Sequence, residues 1–120
     1  MLLRKGSNIK LIKGNEGSEI KQYFNPENTQ NGINYSIAQF SLEPGKKTNL
    51  HKLRSSEIYY ILERNARLKV DEYIFQLEKD DSVFIRPNSA QCIENIGSRS
   101  LKFLFIVEPS WNPDVEILLE

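Results

Sequence analysis

The sequence predicts an all-β domain, built as an antiparallel barrel or sandwich. Three observations support this fold class. Short segments rich in β-branched and aromatic residues recur along the chain, and turns made of Pro, Gly, Asn and Asp separate them. No segment shows helical periodicity that continues over three turns. Eight or more short strands joined in this way are typical of antiparallel sandwiches and barrels.

The strand-like segments follow one another closely after residue 33. Residues 14–32 are polar and contain many turn formers, so we expect an irregular stretch with a short helix or strand near residues 20–24. Segment 101–107 is apolar on both faces, which predicts a strand buried between two layers or inside a subunit contact. The predicted strands cover residues 8–13, 34–42, 57–63, 66–70, 73–77, 82–85, 90–95 and 101–107.

Length and charge limit the classes of protein and partner. The 120 residues fit a single domain, residues 1–120, in which we expect residues 1–32 to form an N-terminal arm and residues 108–120 a C-terminal tail. Sixteen basic residues balance sixteen acidic ones, so no net charge draws the chain towards nucleic acid or an anionic membrane. We therefore expect neither as a partner.

Cysteine usage indicates a reducing compartment. Cys92 is the only cysteine, so neither an intrachain disulfide nor a zinc-finger spacing can form. The N-terminal apolar runs are too short for a signal peptide, and the longest apolar run is too short to span a bilayer. We therefore expect a cytoplasmic protein.

One pair of residues points to chemistry inside the predicted barrel. The only histidine, His51, lies six residues before Glu57, and Glu57 shares a strand face with Tyr59 and Ile61. A carboxylate among apolar side chains needs a partner, because burying an unpaired charge is unfavourable. The partner is either a metal, a cation or a bound ligand, or else His51 itself, which would satisfy both groups without a metal.

The spacing around this pair resembles the first motif of the cupin superfamily. That motif places a glycine, two histidines, a glutamate and a final glycine at fixed intervals. Gly45, His51 and Glu57 stand at three of these positions. Leu53 replaces the second histidine and Arg64 the final glycine, while the intervals are kept.

A later segment resembles the second motif of the same superfamily. Asn95 matches the asparagine of the motif, and Gln91 stands where the third histidine occurs. Asp80, Arg86 and Asn88 replace turn residues that are usually Gly or Pro. The spacing of this motif is also kept.

The resemblance covers roughly residues 33–111 and implies a double-stranded β-helix, or jelly-roll barrel, with its ligand site inside. In the superfamily, the three histidines and the glutamate bind a divalent metal. In this chain His51, Glu57 and Gln91 would be the metal ligands, for manganese, iron, nickel or zinc. Such a metal would bind more weakly, because two imidazole donors are missing.

Other residues are expected to contact a ligand. Tyr59 neighbours Glu57 on one face, and these two are the candidate catalytic residues if the protein is an enzyme. Gln91 points inward if strand alternation holds, and Cys92 then points away. Trp111 either closes the barrel mouth or packs against a partner subunit. The predicted ligand-binding set is His51, Glu57, Tyr59, Gln91 and Trp111.

The predicted function is small-molecule binding in the barrel, with a divalent metal as the candidate cofactor. Two alternatives stay open. One is a metal-dependent isomerase, epimerase or dioxygenase acting on a sugar-like or carboxylated metabolite. The other is a non-catalytic sensor or a structural subunit with a vestigial pocket. We also expect a homodimer, since segment 101–107 and the arm of residues 1–32 leave apolar and edge surface to be covered.

Overall fold

A computed structural model describes residues 1–13 and 18–120 and confirms the all-β fold. Residues 14–17, part of the predicted irregular stretch, lie outside the described residues. Within these residues, helix is limited to 3-10 turns at Gly6–Asn8, Glu27–Thr29 and Pro113–Val115. That part of the chain has no helix of the length and apolar character needed to cross a membrane. The strands are β1 (Ile12–Lys13), β2 (Ser18–Phe24), β3 (Ser36–Leu42), β4 (His51–Leu53), β5 (Ser56–Glu63), β6 (Ala66–Val70), β7 (Tyr73–Leu77), β8 (Ser82–Ile85), β9 (Gln91–Asn95), β10 (Leu101–Glu108) and β11 (Glu116–Leu118).

These strands form two antiparallel sheets. The larger sheet has the order β1-β2-β3-β10-β5-β8, and the smaller one has the order β11-β4-β9-β6-β7. The chain crosses repeatedly from one sheet to the other, so strands that are distant in sequence become neighbours, as in a jelly roll. Both chain ends supply strands: β1 and β2 lie at one edge of the larger sheet, and β11 lies at one edge of the smaller sheet.

Alternation along the strands directs one face of each sheet into a shared core. On β10, Leu101, Phe103, Phe105 and Val107 are buried, and the residues between them are half-buried. The predicted strand 101–107 therefore packs one face between the two layers and leaves an apolar second face partly open. This arrangement follows from the side-chain period of two in a strand.

The strands predicted between residues 57 and 107 are confirmed, and two others differ from the prediction. The first strand covers only Ile12–Lys13 rather than residues 8–13, because a 3-10 turn occupies Gly6–Asn8. Strand β4 was not predicted, since three residues are too few to show alternation. It is held by pairing with β11 and β9 rather than by its own composition.

Three turns keep a backbone shape that usually belongs to glycine. Arg64, Asp80 and Asn88, which stand at glycine positions of the motifs, have φ angles of 73°, 75° and 67°. This left-handed region is strained for residues with a Cβ atom, and Asn and Asp tolerate it better than Arg does. The turns that shape the barrel have therefore kept their geometry without the glycines.

Candidate functional site

Three strands bring the predicted site residues together inside the barrel. Strands β4 and β9 pair so that His51 lies directly opposite Gln91. Strand β5 belongs to the other sheet, and its alternation turns Glu57 and Tyr59 inward. Glu57 is 1% exposed and Gln91 is 0% exposed. The inward orientation predicted for these strand residues is confirmed.

Three of these side chains form one hydrogen-bonded chain. The Tyr59 hydroxyl donates to Gln91 Oε1 over 2.5 Å. The Gln91 amide nitrogen in turn donates to Glu57 Oε1. Gln91 therefore uses both ends of its amide within the protein, and it connects Glu57 to Tyr59.

The Glu57 carboxyl is in a strongly desolvated position. Burial raises the pKa of Glu57 to about 8, the hydrogen bond from Gln91 lowers it in part, and the negative charge of Glu116 raises it further. Oε2 of Glu57 is buried and has no hydrogen-bond partner among the described residues. The carboxyl is therefore mostly protonated at neutral pH, because burial disfavours its charged form.

The Tyr59 hydroxyl keeps its proton for the same reason. Burial raises the pKa of Tyr59 well above its usual value, and the charges of Glu57 and Glu116 raise it further. Its ring packs edge-on against two phenylalanine rings, with centroid distances of 5.3 Å to Phe103 and 5.1 Å to Phe105. The phenol is thus held firmly as a neutral hydrogen-bond donor towards Gln91.

His51 is oriented by the backbone rather than by Glu57. Its Nδ1 lies 2.7 Å from the carbonyl oxygen of Asn49, which can only accept a hydrogen bond. Nδ1 therefore carries the hydrogen, and Nε2 of the neutral ring has its lone pair available. The hydrogen bond from His51 to Glu57 that the sequence left open does not occur among the described residues.

A cavity of about 390 Å³ lies between the two sheets beside these residues. Its wall includes a group of aromatic residues and a group of polar residues. The aromatic lining residues are Phe24, Phe40, Tyr59, Phe103, Phe105 and Trp111. The polar lining residues are Lys13, Gln22, Asn25, Ser36, Thr48, Asn49, His51 and Glu116.

The predicted ligand-binding residues divide into two groups at this cavity. His51, Tyr59 and Trp111 line it. Glu57 and Gln91 are not among the described residues that line it, and the hydrogen-bonded chain places them beyond Tyr59. A ligand in the cavity would contact Tyr59 directly, and its contact with Glu57 would pass through Tyr59 and Gln91.

Sequence reasoning missed two charged residues that line the cavity, Lys13 and Glu116. Glu116 on β11 lines the cavity, and its Oε1 accepts a hydrogen bond of 3.2 Å from the Trp111 indole nitrogen. The signal was weak, because Glu116 stands in a short apolar and acidic tail that also fits a helix. Phe40 and Phe105 also reach the cavity wall.

The donor atoms do not fit a tightly held divalent metal. Among the described residues, no group of three or more His, Cys, Asp and Glu side chains is placed to hold a metal ion. The oxygen of Gln91 is occupied by Tyr59, which leaves His51 Nε2 and Glu57 Oε2 as the open donors. Two protein donors are fewer than such metals require.

Sequence relatives are consistent with the fold. A family model described as "Cupin domain" matches residues 38–107. An uncharacterized protein of Methanocaldococcus jannaschii is 39% identical over 105 residues, which cover 86% of this chain and 83% of the relative. Mannose-1-phosphate guanylyltransferase RfbM of Salmonella typhimurium is 28% identical over 119 residues. That match covers 92% of this chain but only 25% of the enzyme.

Solved structures with the same fold support this comparison. Oxalate decarboxylase from Bacillus subtilis superposes with a TM-score of 0.83 at 15% identity, and the match covers 94% of this chain but only 30% of that chain. A predicted oxalate decarboxylase from Thermotoga maritima gives a TM-score of 0.77 at 25% identity, with 89% of this chain and 98% of that chain covered. With two motifs, the barrel and a family match over more than half of its length, this chain belongs to the cupin family.

Proposed function

We propose that this protein binds a small molecule in the cavity between its sheets. The observation that carries the proposal is the cavity of about 390 Å³, which lies inside the barrel beside His51, Tyr59 and Trp111. Ligand sites are usually concave, mostly apolar and provided with a few well-placed polar groups. The aromatic wall and the side chains of His51 and Glu116 match that description.

The neutral probe 2-naphthalenemethanol tests this proposal by titration calorimetry. At about 0.3 kcal/mol per non-hydrogen atom, a molecule of this size would bind with a Kd on the order of 1 mM. Ala38 on β3 lines the cavity and lies opposite Phe105, so Ala38→Phe should fill the cavity and abolish binding. Gln39→Phe is the matched control, because the next residue on a strand points to the other face.

Two results would contradict the proposal. One is a parent protein that does not bind the probe at millimolar concentration. The other is an Ala38→Phe variant that is folded and binds as well as the parent and as Gln39→Phe, since the probe would then sit elsewhere.

A weakly bound divalent metal is the second candidate, with manganese, iron, nickel or zinc as the ion. The observation that favours it is Oε2 of Glu57, which is buried without a partner. His51 and Glu57 would be its protein ligands, while Gln91 would have to release Tyr59 in order to join them. Metal analysis of purified protein tests this candidate: a stoichiometric metal would support it, and a metal-free protein with no millimolar affinity would exclude it.

An enzymatic role for Glu57 and Tyr59 stays a prediction. In that case Tyr59 would contact the substrate, and Glu57 would act on it through Gln91. An isomerase, an epimerase or a dioxygenase is the class that the cupin resemblance implies, and a non-catalytic sensor or vestigial subunit is the alternative. The single-domain organisation, the cytoplasmic location and the absence of nucleic-acid and membrane partners also stay predictions.

The homodimer prediction has one structural argument in its favour. The outer face of the larger sheet carries an apolar row in which Ile106 lies opposite Ile58, and Ile58 lies opposite Phe84. Ile58 is 39% exposed and Phe84 is 62% exposed. A second copy of the chain would cover this row, so sedimentation should give about twice the 13.9 kDa chain mass. A monomer at micromolar concentration would contradict it, and Ile58→Lys should shift a dimer towards monomer.

A further inference from the structure

We infer that the cavity selects ligands that bring hydrogen-bond donors, and above all a cationic nitrogen, on an aromatic body. This inference depends on the proposed function and names the ligand class for the same site. It follows from the direction of the hydrogen bonds that the protein makes around the cavity.

Tyr59 offers the cavity an acceptor rather than a donor. Its hydroxyl hydrogen is directed at Gln91 Oε1, an amide oxygen that can only accept. In this arrangement the Gln91 amide nitrogen donates to Glu57, which leaves the amide oxygen for the Tyr59 hydroxyl. The remaining lone pairs of the Tyr59 oxygen are therefore the group that Tyr59 can present to a ligand.

His51, on the other sheet, also presents a hydrogen-bond acceptor to the cavity. Its Nδ1–H is donated to the Asn49 carbonyl oxygen, and Nε2 of the neutral ring is then an acceptor. The backbone carbonyl fixes this tautomer, in the way that a second partner fixes the ring of many functional histidines. Since His51 lines the cavity, its lone pair is available to an N–H or O–H group of a ligand.

Glu116 adds a negative group to the wall. One of its oxygens accepts the Trp111 indole hydrogen, and a carboxylate has room for further donors. Within the described residues, the only ion pair joins Arg67 and Glu94, so Glu116 has no cationic partner there. A positively charged ligand would supply the missing partner.

The aromatic wall favours the same class of ligand. The ring centroid of Phe40 lies 5.4 Å from that of Phe103 and 5.3 Å from that of Phe105. Tyr59 packs edge-on against Phe103 and Phe105. Such faces pack well against a flat ring, and they also attract cations through the negative charge of their π faces. The lone pairs of Tyr59 and His51, the Glu116 carboxylate and these π faces all favour a ligand that brings donors or a positive charge.

One cation at the cavity argues for an anion instead. Lys13 lines the cavity from β1, where it is exposed to solvent. In the larger sheet β1 is separated from β5, the strand of Tyr59, by β2, β3 and β10. Three strands therefore lie between Lys13 and Tyr59 in this sheet, and the role of Lys13 can be tested separately.

Three probes that share one ring system test the inference by calorimetry: 2-naphthylmethylammonium, 2-naphthalenemethanol and 2-naphthoate. We expect the cation to bind the parent about tenfold more tightly than the alcohol, and the anion to bind least, since a charge-assisted hydrogen bond contributes about this much. Glu116→Gln should reduce the ratio of cation affinity to alcohol affinity to about one. Glu63→Gln, an exposed carboxylate on β5, is the control and should keep the preference.

The outcomes separate this inference from the proposed function. If the alcohol binds but the cation binds no more tightly, the ligand class is wrong and the binding site stands. If the anion binds best and Lys13→Met removes its binding, Lys13 sets the selectivity and the inference is overturned. If no probe binds at millimolar concentration, both proposals are contradicted. The comparison of probes on the parent protein does not depend on any variant folding.

Discussion

Tyr59 and Gln91 face each other across the two sheets, and the phenol hydrogen of Tyr59 is donated to the side-chain oxygen of Gln91. Both residues are buried, so water does not compete for either group. The bond joins β5 of the larger sheet to β9 of the smaller sheet. It therefore leaves the lone pairs of the Tyr59 oxygen for a ligand, and it links the two sheets of the barrel.

Removing this hydroxyl should destabilise the protein. Tyr59→Phe leaves the buried Gln91 oxygen without a donor, which typically costs about 1–3 kcal/mol in the free energy of unfolding. Tyr60→Phe is the matched control, because its hydroxyl bonds to Asp80 at the exposed surface. Urea unfolding of the two variants measures the difference. Equal stability of Tyr59→Phe and Tyr60→Phe would mean that the buried bond does not form.

Glu57 should make the protein less stable as the pH rises. Its pKa is about 8 in the folded protein against 4.5 for the free group, so the folded state holds a proton that the unfolded state releases. The contribution is fully present below about pH 4.5 and is lost as the pH rises through about 8. Between these values the free energy of unfolding should fall by about 1.4 kcal/mol for each pH unit.

Glu57→Gln is the control for this pH dependence. The amide keeps an oxygen that can accept the hydrogen bond from Gln91, and it has no charge to bury. Between pH 5 and pH 8, the free energy of unfolding of this variant should fall less steeply with pH, by the contribution of about one proton. The variant should also be more stable than the parent at pH 8. An unchanged slope would mean that another group causes it.

Restoring the two missing histidines should create a metal site. Leu53 lies two residues after His51 on β4, and His51 faces Gln91 across the strand pair, so the three positions converge. The Leu53→His, Gln91→His double variant should bind zinc or manganese at least about tenfold more tightly than the parent, because two imidazole donors are added. Each single variant serves as a control. No gain would show that the geometry of the site, and not only its ligand set, differs from the superfamily pattern.

Arg64 should be replaceable by glycine with a gain in stability. Its φ angle of 73° is easy for glycine and strained for arginine, and its side chain is exposed. Arg64→Gly should raise the free energy of unfolding by up to about 1 kcal/mol. Lys69→Gly, in the middle of β6, should lower it, because glycine weakens a strand interior. Thermal melts of both variants give the sign of each change.

The sequence was sufficient to predict the sheets and the inward side chains but not the cavity. Alternation on β5 and β9 placed Glu57, Tyr59 and Gln91 on inner faces, since the side-chain period of a strand is fixed. Which of them meets a ligand depends on how the sheets are stacked. Tyr59 reaches the cavity while Glu57 and Gln91 lie beyond it, and Glu116 enters only because β11 pairs with β4.

The chain has one histidine and one tryptophan, which allow a direct test of the central claim. The ring signals of His51 and the indole N–H signal of Trp111 are each unique in a proton NMR spectrum, and both side chains line the cavity. Titration with 2-naphthalenemethanol should shift both sets of signals with a single Kd that agrees with calorimetry, and the Ala38→Phe variant should show neither shift. Binding heat without a shift of either signal would place the ligand outside the barrel and contradict the account.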